Sequence, residues 1–169
     1  MKAFYQKLIA EFAKPETQTL FTNQGLAPVG YIDLYAGQDQ DEANFELFAQ
    51  PAVLVDWEID YEEPAKATVN IYACYEQLRD TSNISLNRDL GLKFLDFIAC
   101  VDTVVSKIES EATGKMDIIS EGFNKMDSIV DIYLLTYECS FRGRNNPAAK
   151  YQPGDYDNLN LTGTLKYDL

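Results

Sequence analysis

Hydrophobic positions along the chain follow two alternating periods. Phe4, Leu8 and Phe12 recur four residues apart with Tyr5 and Ile9 beside them, which predicts a short amphipathic helix over residues 2–13. Pro15 is expected to close it, and the polar stretch through Gln24 and Gly25 reads as a turn-rich connection. The period then falls to two. Residues 29–35 read as a strand, and 36–44 (A-G-Q-D-Q-D-E-A-N) as a polar, acidic loop. In 51–59, Val53, Val55, Trp57 and Ile59 alternate with Leu54, Asp56 and Glu58. In 66–76, Ala67, Val69, Ile71, Ala73 and Tyr75 alternate with Thr68, Asn70, Tyr72 and Cys74. Two such runs joined by the short Tyr61–Pro64 link predict a β-hairpin.

From residue 89 to about 109 the period is again helical. Phe94, Ile98, Val101, Val105 and Ile108 form a stripe that Leu95 and Val104 widen, with Asn87 or Ser85 placed to cap its start. Ile118 and Ile119 are candidates for a short strand. Residues 128–141 (S-I-V-D-I-Y-L-L-T-Y-E-C-S-F) form the last long strand, and its two alternating sets are both apolar, as expected of a strand covered on both faces or lying at a subunit contact. The expected core includes Val53, Val55, Trp57, Val69, Ile71, Phe94, Ile98, Val101, Val105 and Ile132.

The predicted fold class is α+β: a small mixed, mainly antiparallel sheet packed against a long helix and a short N-terminal helix. The expected division is one domain over residues 1–144 and an extended arm over 145–169. The arm is too polar and too punctuated by Pro and Gly to build a core. Tyr151, Tyr156, Leu159, Leu161, Leu165 and Tyr167 recur along it, a spacing suited to a subunit contact along a sheet edge.

Composition narrows the functional classes. The chain has 169 residues, enough to bury a core without disulfides or metals. It contains no histidine, which removes Ser-His-Asp and Cys-His nucleophile systems and His-based zinc sites. Cys74, Cys100 and Cys139 are odd in number, far apart and set in apolar stretches, so they read as unpaired core thiols of a protein folded in a reducing compartment. The opening M-K-A-F-Y-Q-K-L-I-A-E-F breaks its apolar run at Glu11, unlike a secretion signal. No stretch approaches the about 18 apolar residues of a membrane span.

The net charge is -13, from 14 basic and 27 acidic residues, a field that repels nucleic acid and anionic membranes. No Lys or Arg occurs between Tyr31 and Ala65, whereas Arg142, Arg144 and Lys150 cluster after the last strand. Opposite charge at two places on one molecule suits head-to-tail contacts between copies. A solvated acidic face with an unrelated basic patch explains the pattern as well. Asp39, Asp41 and Glu42 head the acidic region and are expected in a loop facing a lumen or a neighbouring subunit.

Candidate chemistry is sparse. Asp39-x-Asp41-Glu42 resembles the start of a calcium loop, but the positions that need Gly and a bidentate Glu hold Asn44 and Gln50. Asp56 and Glu58 pair on one strand face, where exposure on an acidic strand explains them better than acid–base work. Neither a phosphate-cradling glycine loop nor a basic–aromatic nucleic-acid stripe is present. No catalytic residue, metal or cofactor is expected.

The series E-L-F-A-Q-P-A-V-L-V-D-W-E-I, A-T-V-N-I-Y-A-C-Y, L-G-L-K-F-L-D-F-I-A-C-V-D-T-V and D-S-I-V-D-I-Y-L-L-T-Y-E-C-S-F resembles small proteins encoded in tail gene clusters of phages and prophages of Bacteroides-type hosts. The order of elements is similar to that of tail terminator, or tail completion, proteins of long-tailed phages. The resemblance spans about Phe4 to Phe141 and rests on P-A-V-x-V-x-W and the Y-L-L-T-Y strand. It implies a non-enzymatic virion protein of the tail or neck, folded in the host cytoplasm. It implies a ring, a hexamer or a dodecamer, contacting tail-tube and head-connector proteins, with DNA only as passing cargo and no membrane. A head–tail adaptor, another ring or tube protein of a virion or tailocin, and a monomeric host binding protein stay open as alternatives.

Overall fold

The computed structural model describes residues 1–76, 81–124 and 128–143. Five strands, β1 (Tyr31–Leu34), β2 (Ala52–Asp60), β3 (Lys66–Cys74), β4 (Asp117–Phe123) and β5 (Ile132–Ser140), form one sheet in the order β1-β2-β3-β5-β4. The hairpin expected from the two alternating runs is present, with Ala52 opposite Cys74 and Asp60 opposite Lys66. β5 lies antiparallel between β3 and β4. β1 runs parallel to β2, which makes the sheet mixed. β4 carries an irregularity between Ile118 and Ser120. No described strand lies beyond β1 or β4.

Among the described residues four helices accompany the sheet: α1 (Lys2–Phe12), α2 (Pro15–Asn23), α3 (Arg88–Gly91) and α4 (Lys93–Val105). α1 ends at Phe12, just ahead of Pro15 as expected; the stretch that follows, read as turns, is instead a helix opened by Pro15. The proline begins α2 at the first helical position, where its missing N–H is an orphan in any case and its fixed φ is already helical. Phe21 of α2 is fully buried and its ring meets Phe12 at 6.3 Å and Phe97 at 5.7 Å. The helix expected over 89–109 is two pieces that bend at Leu92 and end at Val105.

One sheet face is covered over β2, β3 and β5, while the edge strand β4 stays exposed. Phe4, Leu8 and Phe12 of α1 and Phe94, Phe97, Ile98, Val101 and Val105 of α4 pack on Val53, Val55, Val69, Ile71, Leu135 and Tyr137. Eight of the ten expected core residues lie in this layer. Trp57 is only half-buried at its margin, and Ile132 is buried on the opposite face. Leu95, expected to widen the stripe, is exposed because Phe97 and Cys100 fill the inward arc. Inside the layer the Tyr137 hydroxyl donates to Asp102 Oδ1 at 2.8 Å, so the largest buried polar group of β5 is satisfied.

Candidate functional site

The second sheet face is covered only at one end. The connection from β1 to β2 crosses it as two 3-10 turns, Gln38–Gln40 and Glu42–Phe48, where an open acidic loop was expected. Gly37 starts the crossing at φ 82°, in the left-handed region that favours glycine. The Gln38 amide then accepts from Ala36 N at 2.7 Å and donates to the Leu34 carbonyl at 2.7 Å, which ties the turn to the end of β1. Phe48, Tyr31, Tyr35 and Tyr72 pack around a small second core of Ala52, Leu54, Cys74 and Ile132. β5 is therefore covered on both faces, as its two apolar sets imply, at its Ile132 end.

The three acidic residues singled out in the sequence occupy three different settings. Asp39 is fully buried, and neither carboxylate oxygen meets a donor at hydrogen-bonding distance and angle. Its backbone carbonyl accepts from Ile129 N at 2.9 Å, which pins the crossing to the lead-in of β5. Asp41 caps the second turn, accepting from Ala43 N at 2.9 Å. Glu42 is exposed. The expectation that all three face a lumen or a neighbouring subunit thus fails at Asp39, whose carboxylate is turned inward by the same turn that leaves Glu42 in water. Tyr151, Tyr156, Leu159, Leu161, Leu165 and Tyr167 lie outside the described residues.

Beyond the crossing the face is bare and polar. Asn70 and the Tyr72 hydroxyl donate to the two oxygens of Asp56 at 2.8 and 2.9 Å, and the Thr136 hydroxyl donates to Asn70 Oδ1 at 3.1 Å. This chain of bonds links β2, β3 and β5 across the open surface. Asp56 is thereby a strand-joining group with both oxygens engaged, whereas the sequence alone left it as one of an exposed pair. Burial, followed by the bond to Asp56, pushes the Tyr72 hydroxyl well above the ordinary phenol value. The bond to Asp33, followed by burial, pushes Tyr31 up to about 12.

Tyr35 stacks on Tyr72 with ring centroids 4.1 Å apart. Burial, followed by the nearby Asp39 charge, raises the Tyr35 hydroxyl. The pair forms one wall of a cleft of about 470 Å³, lined also by Gln40, Ser120, Glu121, Asn124 and Leu134. Sequence reasoning missed this cleft, because its walls come from four separated segments and only the sheet order brings them together. The cleft offers flat aromatic surface, amides and one carboxylate. Such a lining suits a docked polypeptide or a cationic side chain.

The cysteines are buried and unpaired. Burial pushes the thiols of Cys74 and Cys100 up, and that of Cys139 to about 11, so they stay protonated and unreactive near neutral pH. Among the described residues no three His, Cys, Asp or Glu side chains are grouped to hold a metal ion, and no helix is long and apolar enough to cross a membrane. At the ends of the sheet the acidic span divides. Asp41, Glu42 and Glu46 lie at the Ala52 end, while Asp60, Glu62 and Glu63 lie at the hairpin end beside Lys66 and Arg142. Comparison with protein-family models and with curated proteins finds no match.

Proposed function

We propose that the chain is a structural subunit of a phage tail or neck, assembling into a ring at the head–tail junction or at the end of the tail tube. The observation that carries the reading is the bare half of the second sheet face. It is a stiff, cross-linked surface whose side chains are already hydrogen-bonded to one another, rimmed by Glu58, Asp60, Glu62 and Glu63. A wall of this kind repels a DNA backbone, and Lys66 at its hairpin end is engaged by Glu138 at 2.8 Å rather than free to hold it. The sequence resemblance over Phe4–Phe141 supplies the assembly context. In this reading the neighbours are further copies of the chain, the tail tube and the head connector.

Size-exclusion chromatography with light scattering across a range of concentrations tests it. A discrete oligomer of six or twelve copies is expected, with no retention of duplex DNA at moderate salt. A strict monomer throughout would overturn the ring. A second reading, a monomeric binding protein, is favoured by the cleft beside Tyr35 and Tyr72. It would show as a monomer that loses its ligand on Tyr35→Ala.

A further inference from the structure

Of the nine large aliphatic side chains exposed among the described residues, Ile9, Leu34, Ile118 and Ile119 are scattered and the other five share one stretch. Ile84, Leu86, Leu90, Leu92 and Leu95 all lie in the stretch that leads into α3 and begins α4, and Leu86 is fully exposed. The inner side of the same stretch is already filled by Phe94, Phe97 and Ile98, so these five complete no core of their own domain. Five exposed large aliphatic side chains within twelve residues make this stretch a candidate interaction site.

The patch and the end of the described chain lie at opposite ends of the domain. The start of α4 sits at the Cys74–Ile132 end, because Phe94 meets Tyr75 and Tyr133 with ring centroids 6.2 Å apart in each case. The chain leaves at the far end: Arg142 N donates to the Ala112 carbonyl at 2.8 Å, past the C-terminus of α4. The 13 residues of α4 separate the two places by about 20 Å.

Residues 144–169 differ in character from the rest. Three basic residues (Arg144, Lys150, Lys166) balance three acidic ones (Asp155, Asp157, Asp168), so the formal charge of -13 is carried entirely by residues 1–143. Their only large aliphatic side chains are Leu159, Leu161, Leu165 and Leu169. A segment without net charge and with leucines near its end can approach an acidic neighbour without added repulsion.

We propose that residues 159–169 of one copy dock on the Ile84–Leu95 aliphatic surface of the next copy. The inference rests on the self-assembly reading above and names the contact that builds it. A donor at one end of the domain and an acceptor at the other make a heterologous contact, which closes into a ring when the rotation permits. The 15 residues 144–158 can span the about 20 Å of α4 as well as the gap to a neighbour, so the choice of the neighbour rests on the self-assembly reading and the cross-link below decides it.

The test mixes two full-length variants, Leu90→Cys and Leu161→Cys, and treats them with a short bismaleimide. The native thiols are buried and do not compete. A mixed cross-linked dimer is expected. Leu90→Asp with Leu95→Asp, both at exposed positions, should raise the concentration needed for assembly by about tenfold or more while leaving the circular dichroism spectrum and Tm unchanged. Three results overturn the proposal and differ from one another. A link formed only within a chain carrying both cysteines places the segment on its own domain. Assembled material without any link, or assembly untouched by the double aspartate change, removes this contact and leaves self-association standing. A monomer by light scattering at every concentration removes the self-assembly reading and this contact with it.

Discussion

Asp39 is the least compensated group among the described residues: a fully buried carboxylate whose oxygens meet no donor in good hydrogen-bonding geometry, with the Tyr35 hydroxyl the nearby group that responds to it. A buried charge without a partner costs several kcal/mol, and its neutral isostere avoids most of that cost. Asp39→Asn should therefore keep the fold and raise stability by about 1–2 kcal/mol in urea unfolding at neutral pH. A loss of that size instead would mean that the carboxylate is held by a cation or donor in solution. The tyrosines give a second expectation. Tyr31, Tyr72 and Tyr137 have raised values in the folded chain, so the unfolded chain loses its phenolic protons first as pH rises. Their stabilisation is complete below about pH 10 and declines as pH climbs towards the folded values. Unfolding should begin above pH 10, and part of the phenolate absorbance of the 11 tyrosines should appear in one step with it rather than by smooth titration. Smooth titration of all of them ahead of unfolding would contradict the buried hydroxyl bonds.

At the scale of elements, the two sides of α4 offer a sharp contrast. Ile98 is 6% exposed and packs in the main core, while Leu95, one turn earlier, is 48% exposed. Ile98→Asp puts an unpaired carboxylate into that layer and should unfold the domain, whereas Leu95→Asp should change stability by no more than about 0.5 kcal/mol. Equal melting curves for the two would show that the helix faces are assigned wrongly. The stripe Phe94, Ile98, Val101, Val105 was legible because its spacing matches the helical period. The exclusion of Leu95 was not, because nine apolar residues in thirteen leave the centre of the buried arc undetermined until Phe97 docks against Phe21 and Tyr75. The stretch after Pro15 was misread as turns for a related reason. A proline permits both the end of one helix and the first turn of the next, and only the burial of Phe21 selects the second.

For the whole molecule, the decisive feature is that the sheet has two unlike faces. One is closed over β2, β3 and β5 by α1, α2 and α4; the other is half covered by the β1–β2 crossing and half bare. The closed face accounts for stability, and the bare half, the cleft and the aliphatic patch are left for contacts with other molecules. The ring proposed here uses those surfaces. Its assay by light scattering and the Leu90–Leu161 cross-link address separate parts of the assembly, its existence and its contact.

The alternation in residues 51–59 and 66–76, together with the stripe in α4, was sufficient to determine an α+β fold with a central hairpin and its principal core, because burial of one face imposes a period that local sequence records. Absence of histidine likewise excluded imidazole-based nucleophile and zinc systems from these 169 residues, and nothing broader. Tertiary structure alone decided that β1 joins β2 in parallel, that Asp39 turns inward while Glu42 stays in water, and that Asp56 is held by Asn70 and Tyr72. Each of these depends on pairing between segments far apart in the chain, or on which side of a turn a side chain falls. A polar residue carries no periodic mark of either, so its environment is set only when the sheet order brings its neighbours into place.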